Sequence, residues 1–267
     1  MQVYSITSGK GGVGKTNLVC NMALRFAELG KRVLLIDADL GLANVDIVMG
    51  LKPKATLADL FDGSAELTDL LVPGPGGVTV LPASSGVQEM AYLTDDQILL
   101  FMGALEELDR DFDILLVDTG AGIGKNVLYF NAAAQEVMVV STPEPTSMTD
   151  AYAVMKVLAQ RHDVKRFHLI VNMVPDRKTA LRVYRHLTTV ADTHLPDVVI
   201  DYLGHVVRDP AVSQAVVDRQ LLLQNAPDSP AAECLRELVD TLVADSTDRP
   251  ISGNMQFFWR RLLQPGV

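Results

Sequence analysis

The chain is poor in cysteine. Cys20 and Cys234 are its only two, far apart and outside any C-x-x-C spacing. That excludes a disulfide framework and a thiolate metal or iron–sulfur site. It leaves two small, buried, apolar side chains in a reducing compartment. Cations are also scarce: 23 lysines and arginines face 33 acids, for a net charge of −10. A surface so acidic argues against nonspecific DNA binding, which needs lysine and arginine to neutralise phosphates. No direct DNA contact is expected. No apolar run is long enough to cross a bilayer, and the first apolar strand begins almost at Met1 with no signal peptide before it. The expected location is the cytoplasm, with contact at the inner membrane surface still open to it. Internal repeats are absent too.

What is present alternates. Short, continuous apolar runs at 3–7, 32–37, 78–81, 114–118, 137–141, 168–171 and 199–204 read as buried strands. Between and after them, helical patterns cover 15–29, 95–108, 124–133, 147–161, 178–193 and about 231–243. The order predicts an α/β fold: a doubly wound, mostly parallel sheet with helices on both faces and ligands at the carboxyl ends of the strands. Residues 1–244 are read as one domain, 245–253 as a polar tether containing Pro250, and 254–267 as a terminal helix.

After the first strand comes Gly9-Lys10-Gly11-Gly12-Val13-Gly14-Lys15-Thr16, followed by an amphipathic run from Asn17. Strand, glycine loop and helix together form a phosphate-binding loop, whose backbone N–H groups turn inward onto phosphate oxygens. The nucleotide-binding set is Gly11, Gly12, Val13, Gly14, Lys15, Thr16 and Asn17. Lys15 is expected to reach the β- and γ-phosphates, and the Thr16 hydroxyl to ligate Mg²⁺. Lys10 is an extra cation which that geometry does not require. The second strand ends in Asp37-Ala38-Asp39. Residues i and i+2 share a side of an extended chain, so one carboxylate can serve the Mg²⁺ water shell and the other the attacking water. The apolar strand closed by Asp118 has the form of a Walker B strand, whose aspartate supports Mg²⁺. Gly120 and Gly122 follow it as a mobile switch.

Lys10 to Thr16 resembles the deviant Walker A motif of the MinD/ParA ATPases. Asp37–Leu51 (DADLGLANVDIVMGL), Val80–Met90 (VLPASSGVQEM), Asp118–Ile123 (DTGAGI) and Thr142–Tyr152 (TPEPTSMTDAY) are similar to the FlhG/FleN flagellar-number regulators within that class. Val171-Asn172-Met173, Tyr202-Leu203-Gly204 and the closing Phe257–Leu263 (FFWRRLL) continue the likeness over nearly the whole chain. The resemblance implies a MinD-like fold, ATP and ADP as ligands with Mg²⁺, and a homodimer glued by ATP and released by slow hydrolysis. Lys10 would then stabilise charge on the partner's nucleotide, as an arginine finger does. Asp39 would position the nucleophilic water and touch Mg²⁺ through water, as Asp118 does. Lys10, Lys15 and Asp39 form the catalytic set. Asn172 would pair with adenine, Arg208 and Asp209 would flank the base, and Glu144 would lie on a dimer or partner surface. Relatives usually have proline where this chain has Val207. The family partner is a FleQ-like, σ54-dependent flagellar activator, restrained to limit flagellar number. A second family partner is the FlhF GTPase, but the glutamine-containing N-terminal extension that stimulates it is not found before Met1.

Met255, Phe258, Trp259, Leu262 and Leu263 share one helical face, with Arg260 and Arg261 opposite. That amphipathic helix suits an anionic membrane, a partner or its own domain. Competing readings are a MinD-type division-site ATPase, a ParA-type positioning ATPase with a basic DNA-binding surface, and an ATP-gated binding module whose turnover is incidental.

Overall fold

The structure is a computed structural model that describes residues 1–39, 44–83, 94–108 and 111–247. Its elements run β1 (Gln2–Ser8), α1 (Lys15–Glu28), β2 (Val33–Ala38), α2 (Val45–Val48), α3 (Leu57–Phe61), α4 (Leu67–Leu70), β3 (Val72–Pro73), β4 (Thr79–Leu81) and α5 (Asp95–Glu107). Then come β5 (Ile114–Ala121), α6 (Lys125–Ala133), β6 (Glu136–Ser141), α7 (Pro145–His162), β7 (Arg166–Val174), α8 (Arg177–His194) and β8 (Val199–Val207). The described chain closes with α9 (Pro210–Val217), α10 (Leu222–Asn225) and α11 (Pro230–Thr247). The strands form one eight-stranded sheet in the order β3-β4-β2-β5-β1-β6-β7-β8 among the described residues. Every pairing is parallel except β3 with β4.

Period-two alternation sorts the strand residues between two covers. Tyr4, Ile6, Leu35, Leu116, Met138 and Ile170 pack toward α1 and α11. On the opposite face, Val3, Leu34, Ile36 and Val117 meet α5 and α6, while Val139, Leu169 and Val171 meet α7 and α8. With apolar layers on both faces, the strands are continuous apolar runs, as buried parallel strands must be.

The predicted strands and long helices are all present. Strand β5 runs on past Asp118 to Ala121, so Gly120 lies inside the strand and not in a switch after it, and β8 runs on to Val207. The short helices α2, α3, α4, α9 and α10 carry too few turns to show a period in the sequence. Further differences concern the edge hairpin, α11 and β7. The proline- and glycine-rich stretch Pro73–Gly77 closes a hairpin: Gly74 N donates to Val78 O at 2.7 Å, and β3 pairs antiparallel with β4. A two-residue strand is too short to show a period. Helix α11 continues to Thr247, beyond the predicted end near 243 and into the first residues assigned to the tether, because no breaker precedes Pro250. Strand β7 runs on past Val171 to Val174 through a register shift, with Met173 at φ 57°. Asn172 therefore sits inside the strand and not at its end. The remainder of the tether and the terminal helix (Met255, Phe258, Trp259, Leu262, Leu263) lie outside the described residues, as do most of the 80–90 stretch and residues 40–43.

Candidate nucleotide site

β1 delivers the glycine loop to the carboxyl edge of the sheet, and two close approaches hold it there. A Cβ on Gly9 would lie 2.1 Å from the carbonyl carbon of Asp150, so the loop begins against the backbone of α7. Gly14 has φ 85°, and a Cβ there would meet Asn172 Nδ2 at 2.5 Å. Only glycine satisfies both the left-handed backbone and the contact. Asn172 Nδ2 also donates to Val13 O at 2.7 Å, while Asn172 Oδ1 accepts from Met173 N at 2.9 Å. β7 thereby pins the back of the loop. Gly11 and Gly12 face open space, Gly12 at φ 79°, which leaves the cradle side of the loop free.

Lys15 opens α1 and is 8% exposed. Its Nζ lies 3.3 Å from Asp118 Oδ1, and Asp118 is 1% exposed. Burial pushes the Asp118 carboxyl up, opposed by Lys15 and by a hydrogen bond from the Thr16 side chain. Asp39 rests its carboxylate over Gly120, with Oδ1 3.3 Å from where a Cβ there would be. Its charge also acts on Asp118. Lys15, Thr16 and Asp39 are thus gathered around Asp118.

Asp37 behaves differently from its expected pairing with Asp39. It is buried, lies beside Asp118 in the β2–β5 register, and turns its carboxylate to its own chain. Oδ1 accepts from Asp39 N at 3.0 Å, and Oδ2 accepts from Asn44 N at 3.0 Å and Val45 N at 3.1 Å. Asp37 therefore fastens both ends of the segment that carries Asp39, and Asp39 alone is left to face a ligand. Burial first, and then the charge of Asp118, push Asp37 up to about 7 against the pull of those three N–H groups. A carboxyl that holds its proton more tightly when folded stabilises the fold as pH falls. Stability should therefore decline as pH rises from about 4 to about 7 and level off above. Urea midpoints measured across that range check this, and the slope should weaken in Asp37→Asn.

Lys10 stands at the mouth of the loop, 41% exposed, with Nζ 2.7 Å from Glu144 Oε2 and 3.3 Å from Thr146 Oγ1. The Lys10 hydrogen bond holds the Glu144 carboxyl below its ordinary range, and Arg208 adds to the effect. In the single chain the extra lysine is parked on the start of α7. Arg208 N donates to Val174 O at 2.7 Å. Asp209 does not stand free beside a base: it caps α9 by accepting from Ala211 N at 2.9 Å and reaches Ala231 N of α11 at 3.2 Å. Asn17 Oδ1 accepts from Asn21 Nδ2 at 3.1 Å, and Asn21 Oδ1 accepts from Leu223 N at 3.0 Å. The sequence reading missed Asn21. Its signal was an amide four residues after Asn17, on the buried side of α1.

Both cysteines are free, Cys20 buried and Cys234 half-buried. No described helix is long and apolar enough to cross a membrane. Among the described residues, no three His, Cys, Asp or Glu side chains could hold a metal ion by themselves. The donors fit Mg²⁺ in its usual role, bound through one hydroxyl, one or two carboxylates and nucleotide phosphates.

Residues 4–222 match the CobQ/CobB/MinD/ParA nucleotide binding domain family (CbiA). The chain is 44% identical to the Antiactivator FleN of Pseudomonas aeruginosa, over 99% of this chain and 94% of that one. It is 33% identical to the Flagellum site-determining protein YlxH of Helicobacter pylori, over 97% of this chain and 88% of that one. Its fold matches the septum site-determining protein MinD of Pyrococcus horikoshii OT3, solved with Mg-ADP, at a TM-score of 0.75 and 22% identity, covering 94% of this chain and 99% of that one.

Proposed function

The chain belongs to the CobQ/CobB/MinD/ParA nucleotide-binding family, and from that premise we propose that it is an ATP-dependent dimerising switch that restrains a flagellar transcription activator. The observation that carries this reading is Lys10: an exposed ammonium at the loop mouth, anchored among the described residues by Glu144 and Thr146 of its own chain. Lys15 and the loop N–H groups bind the β- and γ-phosphates of ATP. Thr16 would hold Mg²⁺ directly, with Asp118 and Asp39 acting on it through water. When bound, that ion neutralises charge on the β- and γ-oxygens. Asp39 orients the attacking water. Asn172 keeps one N–H and one lone pair for the adenine edge, with Arg208 beside it. In the dimer Lys10 leaves Glu144 and stabilises charge on the neighbouring copy's nucleotide, which makes hydrolysis slow in the monomer.

The output is partner binding. FleN is an antiactivator and YlxH a flagellum site-determining protein, which supports a role in flagellar regulation; the proposed partner is a σ54-dependent, FleQ-like activator, restrained to limit flagellar number. The FlhF GTPase is a second candidate partner. The terminal amphipathic helix adds a reversible contact with the inner membrane surface or with the partner.

Sizing the protein with ADP and with ATP tests the switch. Wild type should run as a dimer with ATP and as a monomer with ADP, and Lys10→Ala should fail to hydrolyse. A wild type that stays monomeric with ATP sinks the reading. Asp39→Ala should still bind ATP and dimerise, with turnover down at least about a hundredfold. Normal control of the partner by that variant would mean that hydrolysis is incidental.

A further inference from the structure

Helix α8 is charged against the grain of the molecule. Arg177, Lys178, Arg182 and Arg185 are all exposed on it, with Asp192 its single acid. Helix α11, on the opposite face of the same end of the sheet, has the reverse bias: Glu233, Glu237, Asp240 and Asp245 against Arg236. None of the ion pairs among the described residues uses the four α8 cations. The nearby Asp176 carboxylate is engaged as the helix cap, accepting from Thr179 N at 2.7 Å.

These cations cost the helix stability. Lys178 and Arg182 are four apart and Arg182 and Arg185 three apart, spacings at which like charges repel by about 0.2–0.5 kcal/mol per pair. Arg177 and Lys178 occupy the first turn, where the helix dipole disfavours positive charge. Solubility does not require them, since a chain at −10 is already far from neutral. The buried side of α8 (Ala180, Val183, Leu187, Ala191) holds the helix in place without them, and α8 contributes no residue to the nucleotide site.

We infer that the outer face of α8 is a docking surface for an acidic segment of a partner protein. Charge complementarity selects the occupant. From Lys178 to Arg185 the row is roughly 10 Å long, the span of two turns of an acidic helix or a few extended residues. Duplex DNA fits less well: a row this short neutralises few phosphates, and the rest of the acidic surface repels the others. A lipid surface fits less well because the exposed large apolar side chains among the described residues (Leu29, Ile47, Leu100, Ile123, Val199, Val216 and Val217) all lie off α8.

The test uses the full chain and three fluorescent probes at low salt: a short glutamate-rich peptide, a short DNA duplex, and vesicles of phosphatidylglycerol and phosphatidylethanolamine. Wild type should bind the peptide best. Arg182→Glu with Arg185→Glu should weaken peptide binding at least about tenfold, while Arg182→Lys with Arg185→Lys keeps most of it. Neither variant should unfold below wild type, the charge-reversed one melting slightly higher as the like-charge repulsion is relieved, and ATP hydrolysis of both should match wild type, which separates a lost surface from a lost fold and from a failed switch. Undetectable peptide binding by wild type, equal binding by the charge-reversed variant, or preference for the duplex or the vesicles would each overturn the inference.

Discussion

Replacing Lys15 by Met lowers the stability of the ligand-free protein by about 3 kcal/mol above neutral pH, and the deficit shrinks on acidification. Lys15 is the cation of a buried acidic site. Its Nζ lies 3.3 Å from Asp118 Oδ1; Asp37 lies opposite Asp118 in the register, and the charge of Asp39 acts on Asp118 as well. Without Lys15 the three carboxylates repel one another in a setting where Asp118 is 1% exposed. Removing one partner of such a pair strands the other's charge. Protonation relieves that charge. Burial already pushes the folded Asp118 carboxyl above its unfolded value, and Lys15 pulls it down, so the variant raises it further. The deficit is therefore full above the variant's folded pKa and fades as pH falls from there toward the lower folded pKa of wild type. Nucleotide affinity should fall about a hundredfold, the scale of one charge-assisted contact to phosphate. Urea unfolding at acidic and at mildly alkaline pH, with and without nucleotide, reads both effects. Equal stability of wild type and variant at alkaline pH would mean that Lys15 does not share the charge of these acids.

Gly9→Ala should be the most damaging single methyl in the loop, costing about 3 kcal/mol, whereas Gly11→Ala should leave the stability of the ligand-free protein unchanged. The contrast is geometric. A Cβ on Gly9 would stand 2.1 Å from the carbonyl carbon and 2.2 Å from the carbonyl oxygen of Asp150, while one on Gly11 meets nothing within 4 Å. Asp150 contributes backbone to that contact, so no rotamer change relieves it. Either the loop lifts from α7 or α7 moves, and each shift displaces Lys10 from Glu144 and Thr146. Thermal unfolding of the two variants side by side decides the matter. Equal melting would mean that the loop does not lean on α7.

How much of this was legible in the sequence depends on the range of each signal. The strand, loop and helix around Lys15 are contiguous, and the apolar run closed by Asp118 is local, so both could be read directly. The sheet followed from apolar runs separated by helical periods. The purpose of Gly9 was not readable, because its reason lies at Asp150, far along the chain. Asp37 and Asp39 looked equivalent because alternation fixes which side a carboxylate faces, not which N–H groups reach it. Asp209 was legible as a loop residue near the base but not as a helix cap, because the N–H groups its oxygens accept from open α9 and α11. Asn21 was hidden as one polar residue within an apolar helix, since its partner Leu223 arrives from α10.

The fastening at Asp37 has an energetic corollary. A chain segment whose two ends meet on one carboxylate is already closed, so most of its end-to-end entropy is lost during folding. A ligand that engages Asp39 therefore meets a smaller ordering cost than it would with the backbone at Asp39 untethered. The Asp37 carboxylate is the hinge on which the N–H groups of Asp39 and Asn44 both hang. Breaking that hinge, by removing the Asp37 carboxylate, should weaken ligand binding through entropy although Asp37 itself touches no ligand.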